Sequence, residues 1–444
     1  METLELQDTY QQDSQQLRSP CATTGGAWLN ELRGRALQRF AELGIPTVKQ
    51  EAWRFTNLRA LSREPHRLAD TGNLEIDPAI LDRWAVDEAN NHRIVLVDGR
   101  FRQDLSNLDG LPDTVRFTHL AAEWARDPKF VESHLGRYAP FDGDALTALN
   151  TAFLQDGVVI RIGRDLRLTE PLHILYLSSG QQAKRVSHPR TLIVAESFSE
   201  SVVVETYLAA GEAAYWTNAV TELVVEPGAR VTHYLAEFEN EHAHHIHTLA
   251  AVLDRDSYLE SQNILMGAAL ARNNVRVAMN GAGAEAHING LFLGHGNQHL
   301  DNDIVVDHRQ PHCSSHQNFR GILDDKSHGV FGGRIVVRED AQKTDSSQSN
   351  RNLLLSDDAR VDTKPQLEIY ADDVKCAHGA TTGQLAEDAL FYLESRGVEP
   401  RDARDILVYA FAHEIIEQMK LLPLRKQLEA VLLDRFSKIR QLGE

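Results

Sequence analysis

Between about residue 150 and residue 380, short apolar runs alternate with polar turns, too closely spaced for helices of ordinary length. Val158–Ile162, His173–Leu177, Leu192–Ala195, Val202–Glu205, Glu222–Val225 and Val231–Leu235 each predict a strand. Further along the spacing becomes regular. Gly290–Leu293 and Gly321–Leu323 begin 31 residues apart, as do Ile304–Val306 and Ile335–Val337. Asn352–Leu355 lies another 31 on, with Leu367–Ile369 near the place of its second strand, and Asn263–Met266 precedes Gly290 by 27. A repeat near 30 residues holding two short strands marks a solenoid, in which each unit buries its apolar face on the next. Helical repeats of this length need longer runs of 3.6 period, and there are none here. The pattern predicts a mainly β chain: a right-handed parallel β-helix, flattened into a solenoid, over residues 146–383. Leu291, Phe292, Ile322, Leu354 and Leu367 are expected to contribute to one continuous interior.

The flanks read as helical. Trp28, Leu32, Ala36, Phe40 and Leu43 recur at three- and four-residue steps, and Gly44 with Pro46 stops that helix. Ile94–Val97 predicts a short strand and Ala121–His134 a helix, so residues 26–145 form an N-terminal, largely helical region behind a polar, flexible arm over 1–25. After Gly383 the helical period returns over 384–444. Leu385–Glu394 makes a short helix ended by Gly397, and Pro400 suits the first turn of the next. From Arg401 to Met419 the apolar residues cover more than one face, which predicts burial on two sides, one of them available to a partner. Leu428, Val431, Leu432, Phe436 and Ile439 line a single stripe on the final helix.

Composition narrows the function classes. The 444 residues carry a formal net charge of −18, which disfavours nucleic acid and anionic membranes as partners. No apolar run reaches the length of a bilayer span, and the first residues lack the basic and apolar regions of a secretory signal. The three cysteines, Cys21, Cys313 and Cys376, form no CxxC and suggest no disulfide framework, so the cytoplasm is the expected compartment. There is no GxxxxGK[ST], no HExxH and no CxxC…CxxC, so the chain has no ATP-binding loop or zinc signature of its own.

Candidate chemistry centres on Cys376 and His378. Two residues apart on an extended chain, a thiol and an imidazole point the same way, and both are good ligands for iron and other borderline metals. The alternative is a buried thiol and a hydrogen-bonded histidine finishing the last coil. Two ligands do not complete a site, so a second segment or a second chain must supply the others. In the tract Glu241–His247, His242 and His244 would share one strand face and His245 and His247 the other, although the acidic neighbours favour a solvated turn. His287 and His316, 29 apart, fit a ladder stacked on neighbouring coils, and His312 with Cys313 fits a structural coil corner.

The stretch that holds Cys376 and His378 resembles a known family. Lys343–Asp345, NLLLS at 352–356, VDTKPQLEIY at 361–370 and ADDVKCAHGAT at 371–381 closely resemble the SufB/SufD family, scaffold subunits of the Suf iron–sulfur cluster assembly machine. The likeness extends through GVFGG at 329–333, LFYLESRG at 390–397 and, more weakly, EAWRFTNL at 51–58. Ala377 stands where the family more often has Ser. The resemblance implies a β-helix core flanked by helices and a non-catalytic scaffold. That scaffold pairs with SufB, recruits the SufC ATPase and supports iron acquisition. It implies that His378 lies at the SufB–SufD interface where the nascent cluster forms, with Cys376 a weaker candidate because the key cysteine there belongs to SufB. The low cysteine count places the chain on the SufD side of the family. Leu390, Phe391, Ile406, Tyr409, Phe411 and Ile415 are the candidate SufC contact. No resident cofactor is expected in the isolated subunit, for which a homodimer is a candidate form; a transient iron–sulfur cluster is expected in the complex. The rival reading is a β-helix carbohydrate-active enzyme using the acidic rows Asp301/Asp303 and Asp324/Asp325.

Overall fold

In the computed structural model the described residues are 26–63, 66–69, 75–86 and 92–442, with residues 10, 12–14 and 17. Cys21 and most of the predicted arm lie outside them, as do the side chains of Phe436 and Ile439. Tyr10, Asp13 and Leu17, within the stretch read as an arm, are buried, and the Tyr10 ring meets Phe40 edge-on with centroids 5.5 Å apart.

The core is a parallel β-solenoid of eight coils, two strands to a coil. Sheet A receives the first strand of each: β1 (Gly157–Ile162), β3 (Arg190–Ala195), β5 (Tyr215–Val225), β7 (His244–Leu253), β9 (Leu270–Met279), β11 (His299–His308), β13 (His328–Val337) and β15 (Arg360–Ile369). Sheet B receives the second: β2 (Leu172–Ser178), β4 (Glu200–Ala209), β6 (Arg230–Phe238), β8 (Tyr258–Leu265), β10 (Glu285–Gly294), β12 (Ser314–Leu323), β14 (Asp345–Leu354) and β16 (Lys375–Gly383). Each strand hydrogen-bonds in parallel to its counterpart one coil away, so the backbone donors and acceptors are satisfied along the axis. The inward residues of both sheets form one apolar column that includes Ile174, Leu235, Val275, Phe292, Phe319 and Phe331.

Register shows where the repeat reading slips. Gly290 stands opposite Phe319 and Ile304 opposite Gly333, offsets of 29 rather than the expected 31. A two-residue slip preserves the inward face, because side chains alternate with period two, which is why the wrong offset still aligned apolar with apolar. One coil further, Gly321 meets Asn352 at the expected 31. The single-interior expectation is corrected on the same ground. Phe292 points inward, whereas Leu291 and Ile322 point outward into a second apolar cluster with Val408, Ile415 and Leu428 of the C-terminal helices.

The N-terminal region closes the first coil. Helix α1 (Gly26–Leu43) packs on α2 (Ala145–Ala152). The strand Arg93–Val97 pairs in parallel with β2, and Val115–His119 pairs antiparallel with β1. Ala121–His134 divides into two helices, Leu120–Arg126 and Pro128–His134, because Pro128 opens the second and Asp127 caps it. The EAWRFTNL segment latches onto the outer face of sheet A. Trp53 stacks under the Arg272 guanidinium, 4.0 Å from its ring centroid, and Thr56 hydrogen-bonds Asp301. After β16 come α3 (Glu387–Ser395), α4 (Pro400–Ile416) and α5 (Leu422–Leu442); α4 and α5 lie against the outer face of sheet B, and α3 packs on α4. No helix among the described residues is long and apolar enough to cross a membrane.

Candidate functional site at the open end of the solenoid

Strands β15 and β16 end the two sheets, and among the described residues neither has a strand on its far side. The corner joining them is fixed by Lys343, which pairs with Asp373 and donates its backbone N–H to the Asp373 carbonyl at 2.7 Å. Strand β16 pairs with β14 so that Cys376 faces Ser346 and His378 faces Gln348. Alternation then sends Cys376, His378, Ala380 and Thr382 toward the solenoid axis. With no ninth coil over them, that axis is open to solvent. Cys376 is half-buried against Ile335, Val337, Ala341 and Ala371, while His378 is exposed and its ring has no hydrogen-bond partner among the described residues. Burial, reinforced by Asp345, pushes the Cys376 thiol pKa up, which keeps the sulfur protonated and a poorer ligand than a free thiolate.

Behind these two residues the interior changes character. In coils one to five it holds Ile, Val, Leu and Phe around a sealed polar cluster; in coils six and seven rows of polar side chains run beside Ile304, Phe319 and Phe331. His308 Nε2 lies 2.8 Å from Ser315 Oγ, which lies 2.9 Å from Ser346 Oγ, and the next position in that row is Cys376. Gln348 Nε2 donates to Gln317 Oε1 at 2.8 Å, and the next position in that row is His378. Asn350 and Asn352 bond each other beside them. The two predicted ligand residues thus terminate two buried polar rows.

The other predicted residues fall elsewhere. Phe391 and Ile406 are exposed, at 72% and 48%, on α3 and α4. Leu390, Tyr409 and Phe411 are half-buried, with the Arg320 guanidinium 4.7 Å from the Phe411 ring centroid. Ile415 is fully buried against the outer face of sheet B, so it serves this chain's own packing and presents nothing to a partner surface. His287 and His316 stack on neighbouring coils as their spacing predicted, ring centroids 5.1 Å apart, and His312 sits in a left-handed corner beside a buried Cys313.

The histidine tract is not a solvated turn beyond His242. His244 points outward toward His66, while His245 and His247 point into the solenoid. There they meet a buried cluster that the sequence did not disclose. His245 Nδ1 is 2.7 Å from Glu239, His233 Nε2 is 3.1 Å from Glu205, and Thr221 bridges Glu205 to His247. Burial would raise Glu205, but the His233 hydrogen bond and charge outweigh it and hold the carboxyl below its usual range. Glu237, buried beside Glu239, is pushed up to about 7. Each of Glu205 and Glu239 thus has an imidazole against it, the kind of partner a carboxylate in a dry interior requires. The only sequence signal was an acid at an inward parity of an apolar strand, Glu205 in ESVVVETYLA.

The acidic rows of the rival reading are occupied. Asp301 is buried under Thr56 and pairs with Arg272, and Asp303 pairs with Arg276. Asp324 Oδ1 accepts from the Asp325 N–H at 2.9 Å, and Asp325 accepts from the Gly296 N–H. No pair of free carboxylates faces across a groove here. Among the described residues no group of three or more His, Cys, Asp or Glu is placed to hold a metal ion.

Comparison with known proteins agrees with this architecture. Residues 176–411 match the family model of the SUF system FeS cluster assembly SufBD core domain, and residues 2–174 match that of the SufBD N-terminal region. The chain is 32% identical over 412 residues to an iron–sulfur cluster assembly SufBD family protein of Synechocystis, covering 90% of this chain and 89% of that one. It is 32% identical over 397 residues to the iron–sulfur cluster assembly protein SufD of Escherichia coli, covering 89% and 90%. The chloroplastic protein ABCI7 of Arabidopsis thaliana is 30% identical over 413 residues, covering 90% and 84%.

Proposed function

The chain belongs to the SufBD family of iron–sulfur cluster assembly proteins, and on that premise we propose that it is the SufD-type scaffold of a Suf complex. It does no chemistry alone. Its open coil pairs with SufB, and His378 lies in the junction where the nascent cluster is built. The observation that carries this reading is the exposed His378 on the terminal strand of an otherwise fully paired solenoid. Unpaired N–H and C=O groups on β15 and β16 make those strands a template for another chain. Exposed Ile369 and Tyr370 add apolar surface at the same corner. A histidine and a half-buried thiol supply at most two ligands, so iron held here takes its remaining ligands from the partner, and iron and sulfide are cargo rather than a resident cofactor. The exposed Phe391 and Ile406, on the helices α3 and α4 that follow the open coil in sequence, suit recruitment of the SufC ATPase, which supplies the nucleotide chemistry this chain lacks. Iron acquisition follows from His378 as the first ligand offered.

Co-expression with SufB and SufC tests it. His378→Ala should leave the three-subunit complex intact and lower its iron and sulfide content several-fold, with Cys376→Ala doing less. Asp at both Phe391 and Ile406 should release SufC and spare SufB. Wild-type iron and sulfide in the His378→Ala complex would make the histidine structural.

A further inference from the structure

The acceptor oxygen of Gln348 is buried and has no hydrogen-bond partner. Such a group costs free energy unless a donor reaches it, so each one in a well-packed chain calls for an account. The side chain that carries it is held tightly. Its Nε2 is committed to Gln317 Oε1 at 2.8 Å, and the amide crosses the interior over Gly333, where an added Cβ would stand 2.0 Å from Nε2. Only a residue without a side chain leaves that room. Gln348 is therefore held through its Nε2, with its oxygen left unpartnered.

Register shows which position follows Gln348 in its row. His378 is the position paired with Gln348 on the following strand, on the same inward face, and its ring has no partner among the described residues. A neutral imidazole carries one N–H and one lone pair, and the hydrogen bond made by one nitrogen decides which nitrogen keeps the lone pair. We propose that Gln348 is a positioning residue for His378: its amide oxygen takes the imidazole N–H, fixes the tautomer, and turns the other nitrogen's lone pair out of the open end. The row Gln317–Gln348–His378 then works as one device, with Gln317 holding Gln348 and Gln348 holding the ring. This rests on the role of His378 proposed above and adds to it the group that orients the ligand.

The test reads the tautomer directly in the full chain, without iron or partner. Histidine labelled with ¹⁵N reports, through long-range proton–nitrogen correlations at alkaline pH, which ring nitrogen is protonated, and His378→Ala identifies the signals. The wild-type ring should favour one tautomer by about tenfold, the bias a single hydrogen bond supplies. Gln348→Leu, close in volume, should collapse that bias to the mixture of a free histidine, and Gln348→Glu, which keeps an acceptor in place, should restore it. Thr363→Val, which removes the unpaired hydroxyl of Thr363 at the same end, should leave it unchanged. Equal tautomer ratios in wild type and Gln348→Leu, or a bias lost equally in Thr363→Val, would overturn the proposal. The outcome separates from that of the cluster experiment. A tautomer set by Gln348 with normal clusters in His378→Ala removes the ligand role alone, and lost clusters with an indifferent tautomer remove the Gln348 role alone.

Discussion

The two ends of the solenoid are built from the same kind of strand and finish in opposite ways. At the first coil, Arg93–Val97 covers β2 and Val115–His119 covers β1, and Ile94, Leu96 and Phe117 fill the axis between them. At the eighth coil the corresponding places hold Thr363, Pro365, Cys376 and His378, and no strand follows among the described residues. One end uses the stretch from Arg93 to His119 to hide its edges, as sheet proteins generally do. The other leaves them bare and lines the opening with polar groups. An edge left open beside an identically solved one points to a surface kept for a partner.

The largest effect that probes this contrast is a core truncation at each end. Phe117 is buried in the cap and Leu367 only half-buried beneath the last coil. Phe117→Ala should cost about 3–5 kcal/mol of stability, and Leu367→Ala about 1–2 kcal/mol because less of it leaves water on folding. Urea denaturation of both variants checks this. Equal losses would mean that the eighth coil is as closed as the first.

A smaller effect comes from protons. Burial lowers the pKa of His173, His188 and His299 to about 3 and of His244, His247 and His308 to about 4. These groups stay neutral in the native chain while the unfolded chain binds protons as pH falls through about 6.5. Their contribution is complete above that pH and is lost progressively down to about 3. Glu237, raised by burial to about 7, acts in the opposite sense, since the native chain keeps a proton that the unfolded chain releases above about 4.5. The lowered histidines outnumber Glu237 and the raised His245 in this window, so the urea midpoint should fall from pH 7 to pH 4.5. A midpoint that is flat or rises toward acid would show that these interiors are wet, and the contrast between sealed and open coils would lose its basis.

Much of this was legible in the sequence, for reasons that also mark where legibility stopped. Period two and a repeat near 30 identify a solenoid, because stacking demands both. The same period hides a slip of two residues, so the offset at Gly290 misled while the inward parity survived. The helices over sheet B were readable, but the residues of sheet B that they cover were not. Leu291 and Phe292 are equally apolar, and only the folded chain shows that each serves a different core. Ile415 looked like surface for the same reason, since a helix apolar all round does not say which side is taken. Cys376 and His378 were found by spacing and family likeness. Gln317 and Gln348 were not, because polar residues in a strand read as solvent-facing until the coil behind them is in place.

The central claim is that the eighth coil, and not the first, receives the partner. Amide hydrogen exchange of the isolated chain and of its complex with SufB and SufC measures this strand by strand. The account predicts slowed exchange in β15 and β16 on assembly, with Arg93–Val97 and Val115–His119 unchanged because no partner docks on the first coil. Unchanged exchange in β15 and β16, or protection gained at the first coil instead, would contradict it.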